Sequence, residues 1–258
     1  MKNIKSKIES RIPHFLFKII LHVYRLIKYP HFPLIKWYYV KRRKQLLIDN
    51  VKVTPPKSTS YYDFGLMYKG IYENDERRLV KKYINRNDCV LELGGCLGVV
   101  SSVVNRMLLN PRNHVTLEAN PKIINNLRRT KEDNKCQFGI ENKVISNKEL
   151  NIFNISKNYL GSSLIRNSDT QIKIEGCTID DLQNKYELKF TTLVMDIEGA
   201  ELDLFKNFNL SKTSITKIIF ETHENFLSKT GVEECYKLLK QQGFQRIESS
   251  NKVQVWRL

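Results

Sequence analysis

Acidic residues stand at the ends of short apolar runs in this sequence. The run DCVLEL (88–93) carries Glu92 and leads into a loop with Gly94 and Gly98. HVTLE ends at Glu118, and TTLVMD ends at Asp196 with Glu198 two residues on. ITKIIFE ends at Glu221, with His223 two residues on. Each residue type has a chemistry. A carboxylate such as Glu118 can accept bonds from both hydroxyls of a ribose. Glu92 can hold an ammonium group, directly or through water. Gly94 and Gly98 let backbone approach a ligand where a side chain would block it. Asp196 and His223 are candidates to take a proton from a hydroxyl, and histidine, which titrates near neutrality, is the natural base. Asp196, Glu198 and Glu221 can instead hold a magnesium ion, which takes oxygen ligands, or bind several sugar hydroxyls. The sequence leaves these alternatives open. Taken singly, each residue also has a plain structural reading: Glu92 as an ion pair at a helix N-terminus, Glu118 as a helix cap, His223 as an imidazole bonded to a carboxylate. Their shared position at strand ends favours a site.

These side chains meet only if strands and helices alternate. Residues 73–86 have helical spacing, and the strand 88–93 runs through GGCLG into a helical stretch from 99 to 109. A strand ending at Glu118, a helix over 121–134 and a strand within 136–146 follow. Residues 150–156 and 171–177 alternate as added strands. A strand ending at Asp196, a short helix from Glu201, a strand ending at Glu221, a helix over 232–242 and strands at 244–248 and 252–257 complete the chain. This pattern predicts an α/β fold with a mostly parallel, doubly wound sheet. Ligands of such sheets sit at the carboxyl ends of the strands, so the acid-bearing ends converge on one edge. The loop reads G-G-x-x-G and is not the G-x-G-x-x-G of NAD enzymes. S-adenosylmethionine, with a ribose and a methionine ammonium, would give each of these residues a task.

The string LVMDIEGAE (193–201) is the most specific element. With YENDE (72–76), VLELGGCLG (90–98), VTLEANP (115–121), the serine pair at 162–163, CTIDDL (177–182) and IIFETH (218–223), it resembles the FkbM-type methyltransferases over residues 70–246. The first loop departs from the family's D-x-G-A-N-x-G: Glu92 replaces the Asp, and Gly95-Cys96 replace Ala-Asn. The resemblance implies a class I methyltransferase, Rossmann-like sheet with a C-terminal antiparallel strand. It also implies S-adenosylmethionine as cofactor, bound by Glu92, Gly94, Gly98 and Glu118, with Asp196, Glu198, Glu221 and His223 on the catalytic side. Characterised members are mostly O-methyltransferases of sugars, polyketides and other secondary metabolites, so the expected acceptor is a hydroxyl of a small molecule or glycan.

Residues 1–60 have no counterpart in that resemblance and read as a separate extension and linker before a methyltransferase domain at 61–258. The formal net charge is +16, and it is uneven. Residues 1–52 hold 13 Lys or Arg against Glu9 and Asp49. Such asymmetry points to an anionic partner. Residues 12–28 (IPHFLFKIILHVYRLIK) place Lys18, His22, Arg25 and Lys28 on one helical face, with apolar residues over most of the rest. Pro30 and Pro33 are read as stopping this helix, and a Trp37-Tyr38-Tyr39 cluster and a run of four basic residues follow. The segment is shorter than the ~20 apolar residues that a bilayer span takes and is interrupted by basic residues, which leaves a span as the minor alternative, and it lacks a signal-peptide cleavage site. Residues 1–44 are expected to bind an anionic membrane surface from the cytoplasmic side, against the alternative of packing on the domain or on a partner subunit.

Five cysteines without a C-x-x-C pair suggest reduced thiols in a reducing compartment, not a disulfide framework or a zinc site. A nucleic-acid methyltransferase is the rival reading, supported by the charge. Acids at the site mouth would repel a phosphate backbone, and no Asn/Asp-Pro-Pro-aromatic motif ends the strand at 196, so nucleic acid is disfavoured. A third reading is a non-catalytic membrane-surface module with a methyltransferase-like fold. Oligomeric state is not legible.

Overall fold

The computed structural model describes residues 13–155 and 170–258. The serine pair at 162–163 and residues 1–12 lie outside them. The chain begins with helices α1 (His14–Lys28) and α2 (Phe32–Lys41), then a hairpin of β1 (Leu46–Ile48) and β2 (Val51–Val53). The second helix departs from the sequence reading. Pro33 lies in its first turn, where the missing N–H costs nothing, so it starts a helix instead of ending one. The hairpin ties the extension to the body: Leu46, Ile48 and Val53 are buried with Leu97, Val99 and Ile123.

Helices α3 (Tyr61–Tyr68) and α4 (Asn74–Tyr83) follow. Ser60 caps α3 by accepting from the Asp63 N–H at 3.0 Å, which satisfies one orphan donor of the first turn. In α4, Asp75 and Glu76 sit in the first turn and Lys81 and Lys82 in the last, matching the helix dipole.

The rest alternates: β3 (Val90–Leu93), α5 (Val99–Met107), β4 (His114–Leu117), α6 (Ile124–Asp133), β5 (Gly139–Glu141), β6 (Val144–Ile145), β7 (Leu150–Asn154), β8 (Gln171–Cys177), α7 (Ile179–Tyr186), β9 (Thr192–Met195), α8 (Glu201–Asn207), β10 (Lys217–Glu221), α9 (Glu224–Gln241), β11 (Gln245–Ser250) and β12 (Val253–Arg257). Seven strands form the main sheet in the order β11-β12-β10-β9-β3-β4-β5. Strands β5, β4, β3, β9 and β10 run parallel, and β12 lies antiparallel between β10 and β11. This is the doubly wound α/β sheet with a C-terminal antiparallel strand that the sequence predicts. Strands β6, β7 and β8 form a small separate sheet.

Alternation along the strands divides the core. Leu91, Leu93, Leu193, Met195, Ile218 and Phe220 point to one face, where α7, α8 and α9 cover them. Val90, Val194 and Ile219 point to the other, under α4 and α5. Central parallel strands are buried on both faces, so they read as unbroken apolar runs. From β3 the chain winds outward through β4 and β5, then returns to place β9 on the other side of β3. The carboxyl ends of β3 and β9 therefore border the switch point, where doubly wound sheets take their ligands.

Candidate active site

At that edge a cavity of about 440 Å³ opens, lined among others by Gly94, Glu118, Asp196, Glu198, Glu221 and His223. Gly94 has φ +91°, and a Cβ there would lie 1.8 Å from the Asp196 carbonyl oxygen. Only glycine lets the β3 and β9 ends close this tightly. Glu118 is buried and accepts the N–H groups of Cys96 at 2.8 Å and Asn120 at 2.6 Å. Burial pushes its carboxyl up to about 7, with the two backbone donors pulling the other way.

Two residues assigned to the cofactor from sequence are not brought to the cavity. Glu92 shares strand parity with Val90 and turns toward the α4–α5 face, where Thr116 Oγ1 donates to its carboxylate and His114 Nε2 lies 3.0 Å away. Gly98 begins α5 with φ +78°, and a Cβ there would meet Leu127 Cδ1 at 2.7 Å. Its role is the close approach of α5 to α6.

The catalytic candidates do converge. His223 is buried; its Nδ1 lies 2.7 Å from Glu201 Oε1. Its Nε2 lies 3.3 Å from Asp196, 3.8 Å from Glu198 and 3.8 Å from Glu221. Burial works against a charged imidazole, yet the Glu201 bond and the carboxylates of Asp196 and Glu198 outweigh it and hold the pKa up at about 9. Burial, partly offset by His223 and reinforced by Glu221 and Glu198, pushes the Asp196 carboxyl well above the usual range. Asp196 Oδ1 accepts no hydrogen bond among the described residues.

Three acids that the sequence reading left out belong to this group. Glu73, at the start of α4 with φ +49°, lines the cavity, and burial raises its carboxyl to about 8. Glu76, one turn on, is buried and also raised, by burial first and then by Asp196 and Glu73. Glu201, fully buried, bonds His223 and also accepts the Gly199 N–H at 3.1 Å. The pattern was available: Glu73 and Glu76 are three apart on one helical face, and Glu201 closes the D-x-E-G-x-E string.

The methyltransferase FkbM domain model matches residues 88–246. The chain belongs to the FkbM methyltransferase family. No curated protein gave a sequence match. Among solved structures, the chain is similar to a precorrin methyltransferase from Geobacter metallireducens, at 12% identity, covering 70% of this chain and 84% of that one with a TM-score of 0.45. It is also similar to an O-methyltransferase from Bacillus cereus in complex with SAH, at 16% identity, covering 71% and 79% with a TM-score of 0.43. A third is a fibrillarin from Aeropyrum pernix with bound S-adenosyl-L-methionine, at 11% identity, covering 72% and 68% with a TM-score of 0.43.

The family's cofactor fits the residues present. Six acids line the cavity (Glu73, Glu118, Asp196, Glu198, Asp203 and Glu221) against Lys143, Lys148 and His223. Such a surplus suits a ligand with a sulfonium and an ammonium group. Gly94 lines the cavity, and Glu118 still has lone pairs for a ribose. Magnesium fits poorly. The groups that come together as a metal-sized set are Asp196, Glu221 and His223, with ligand atoms within 4.8 Å of one another. Magnesium prefers an all-oxygen shell, and the His223 Nε2 lies among the three carboxylates expected to form that shell.

Proposed function

We propose that the protein transfers the methyl group of S-adenosylmethionine to a hydroxyl oxygen of a sugar, glycan or secondary metabolite. The observation that carries this reading is the ring of Asp196, Glu198 and Glu221 around His223, in the same cavity as Gly94 and Glu118. When bound, the cofactor supplies an electrophilic methyl. Glu118 accepts the ribose hydroxyls. Glu73, which lines the cavity where Glu92 does not, takes the ammonium.

Alignment of the hydroxyl with the methyl lowers most of the barrier, but an alcohol must still lose its proton. His223, expected from sequence to be the base, is an imidazolium at neutral pH with a pKa of about 9, and an imidazolium cannot accept a proton. That role passes to Asp196, whose basicity burial raises and whose Oδ1 lies 3.3 Å from His223 Nε2; a bound sulfonium cation favours its ionised form. His223, fixed by Glu201, then holds Asp196 in place and balances its charge, and Glu198 and Glu221 accept neighbouring hydroxyls of a polyol. No step requires a metal ion.

The test is transfer of isotopically labelled methyl from S-adenosylmethionine to polysaccharide and small-molecule fractions. The reading expects label in an alkali-stable methyl ether, lost on Asp196→Asn while cofactor binding persists. Label in an ester, on nitrogen or in RNA would refute it.

A further inference from the structure

The N-terminal helices are mounted the unusual way round. An amphipathic helix normally buries its apolar stripe and leaves its polar face in water. In α1 the contact with the body is made by buried Phe17, half-buried Leu21 and half-buried Arg25, together with the His22 backbone. The Arg25 guanidinium lies 4.0 Å from the centre of the Tyr62 ring, and Tyr61 Oη donates to the His22 carbonyl at 3.3 Å. The apolar stripe of Phe15, Leu16, Ile19, Ile20, Val23 and Ile27 is left outside, with Ile27 76% exposed. Helix α2 is similar. Phe32 is fully buried against Gly65, where any Cβ would strike its ring, and Ile35 and Tyr39 pack inward. Leu34 and Trp37 face out, 69% and 60% exposed. A contiguous apolar face of this kind on a folded protein marks a surface that something covers.

Charge identifies the occupant. Residues 13–48 contain eight Lys or Arg and no acid. Lys18, Lys28, Lys41 and Arg42 are all exposed along these two helices. A second copy of the chain would bring the same basic rim against itself. An anionic bilayer complements both features: acyl chains take the apolar stripe, headgroups take the basic rim, and Trp and Tyr prefer that interface. No described helix is long and apolar enough to cross a membrane, which suits a surface attachment. We infer that α1 and α2 seat the protein on an anionic lipid surface, with the outer face of α1 in the headgroup region. This does not rest on the methyl-transfer reading. Ile35, Tyr39 and Tyr72 pack in one cluster with Leu97 of the glycine loop, so docking also fixes how the cavity is presented to the bilayer.

The full-length protein carries its own reporter. Of its two tryptophans, Trp256 is fully buried and Trp37 is exposed, so a change in emission on adding vesicles reads Trp37. With phosphatidylcholine vesicles containing phosphatidylglycerol, emission should shift to the blue and the protein should sediment with the lipid. Both effects should weaken with salt and with pure phosphatidylcholine. Lys18→Gln, Lys28→Gln and Arg42→Gln should each lower partitioning roughly fivefold, the loss of about 1 kcal/mol per basic group. Ile19→Ser with Ile27→Ser should abolish the blue shift. All five sites are exposed, and unchanged circular dichroism and thermal unfolding confirm that each variant is folded. Absence of a blue shift with anionic vesicles overturns the inference, as does partitioning indifferent to phosphatidylglycerol and to these substitutions. A dimer in light scattering that Ile19→Ser with Ile27→Ser dissolves would make a second copy the occupant and overturn it as well.

Discussion

Replacing Glu201 by Gln removes one charge from beneath His223 and nearly preserves shape. The rise of the imidazole from 6.5 to about 9 corresponds to about 3 kcal/mol of preference for the charged form. Asp196 and Glu198 supply part of it. The Glu201 bond, 2.7 Å long and fully buried on the carboxylate side, is a charge-assisted hydrogen bond worth about 1.5–3 kcal/mol. That is about one to two pKa units. In Glu201→Gln, His223 should therefore titrate roughly between 7 and 8. NMR titration of the imidazole carbon-bound protons measures this directly, with His223 assigned among five histidines by its loss in His223→Gln. Stability gives a second reading. A histidine whose folded pKa is raised contributes fully below the unfolded value of 6.5 and loses that contribution as pH rises through about 9. The stability gap between parent and Glu201→Gln should thus be widest below 6.5 and close above 9. A parent His223 titrating at or below 6.5, or a value unmoved by Glu201→Gln, would refute the reasoning.

Three further outcomes follow from the site geometry. Gly94→Ala forces a Cβ against the Asp196 carbonyl at positive φ and should cost about 3 kcal/mol or more, seen as a lower midpoint in urea. Glu118→Ala should weaken S-adenosylmethionine about tenfold or more by calorimetry, since bonds to a carboxylate are worth about 1.5–3 kcal/mol each, while the circular dichroism spectrum stays the same. Exhaustive chelation should leave methyl transfer unchanged, and restoration of a lost activity by added magnesium would bring back the oxygen-cage reading.

The main sheet was legible because central parallel strands announce themselves. VLEL, TLVM and KIIF are buried along their length, and Asp196 after β9 and Glu221 at the end of β10 mark where strand becomes cleft. What the sequence left hidden was where Glu92 and Gly98 lie relative to the cavity. Glu92 sits within β3, not past its end, and the two-residue period that puts Val90 under α4 puts Glu92 there too. Gly98 looked like a cofactor glycine because spacing alone does not distinguish approach to a ligand from approach to Leu127. Helix α2 was hidden by Pro33, which stops a helix from within but starts one at its first turn. The hairpin at 46–53 has strands of three residues, too short for periodicity to show. Nor does a sequence reveal that α1 points its apolar stripe away from the body, because periodicity gives a helix two faces without saying which is inward.

Proton release on cofactor binding tests the account most directly. Without ligand, burial holds Glu73 at about 8, Glu118 at about 7 and Asp196 well above the usual carboxylate range, so the cavity carries protons at neutral pH. A cationic ligand favours the ionised carboxylates and expels them. Calorimetric titration with S-adenosylmethionine near pH 7, repeated in buffers of different ionisation enthalpy, should show net proton release. S-adenosylhomocysteine, which lacks the sulfonium charge, should release fewer protons. Failure of the folded protein to bind S-adenosylmethionine, or equal proton release by the two ligands, would contradict the assignment of this acid-rich cavity as a site built for the charged cofactor.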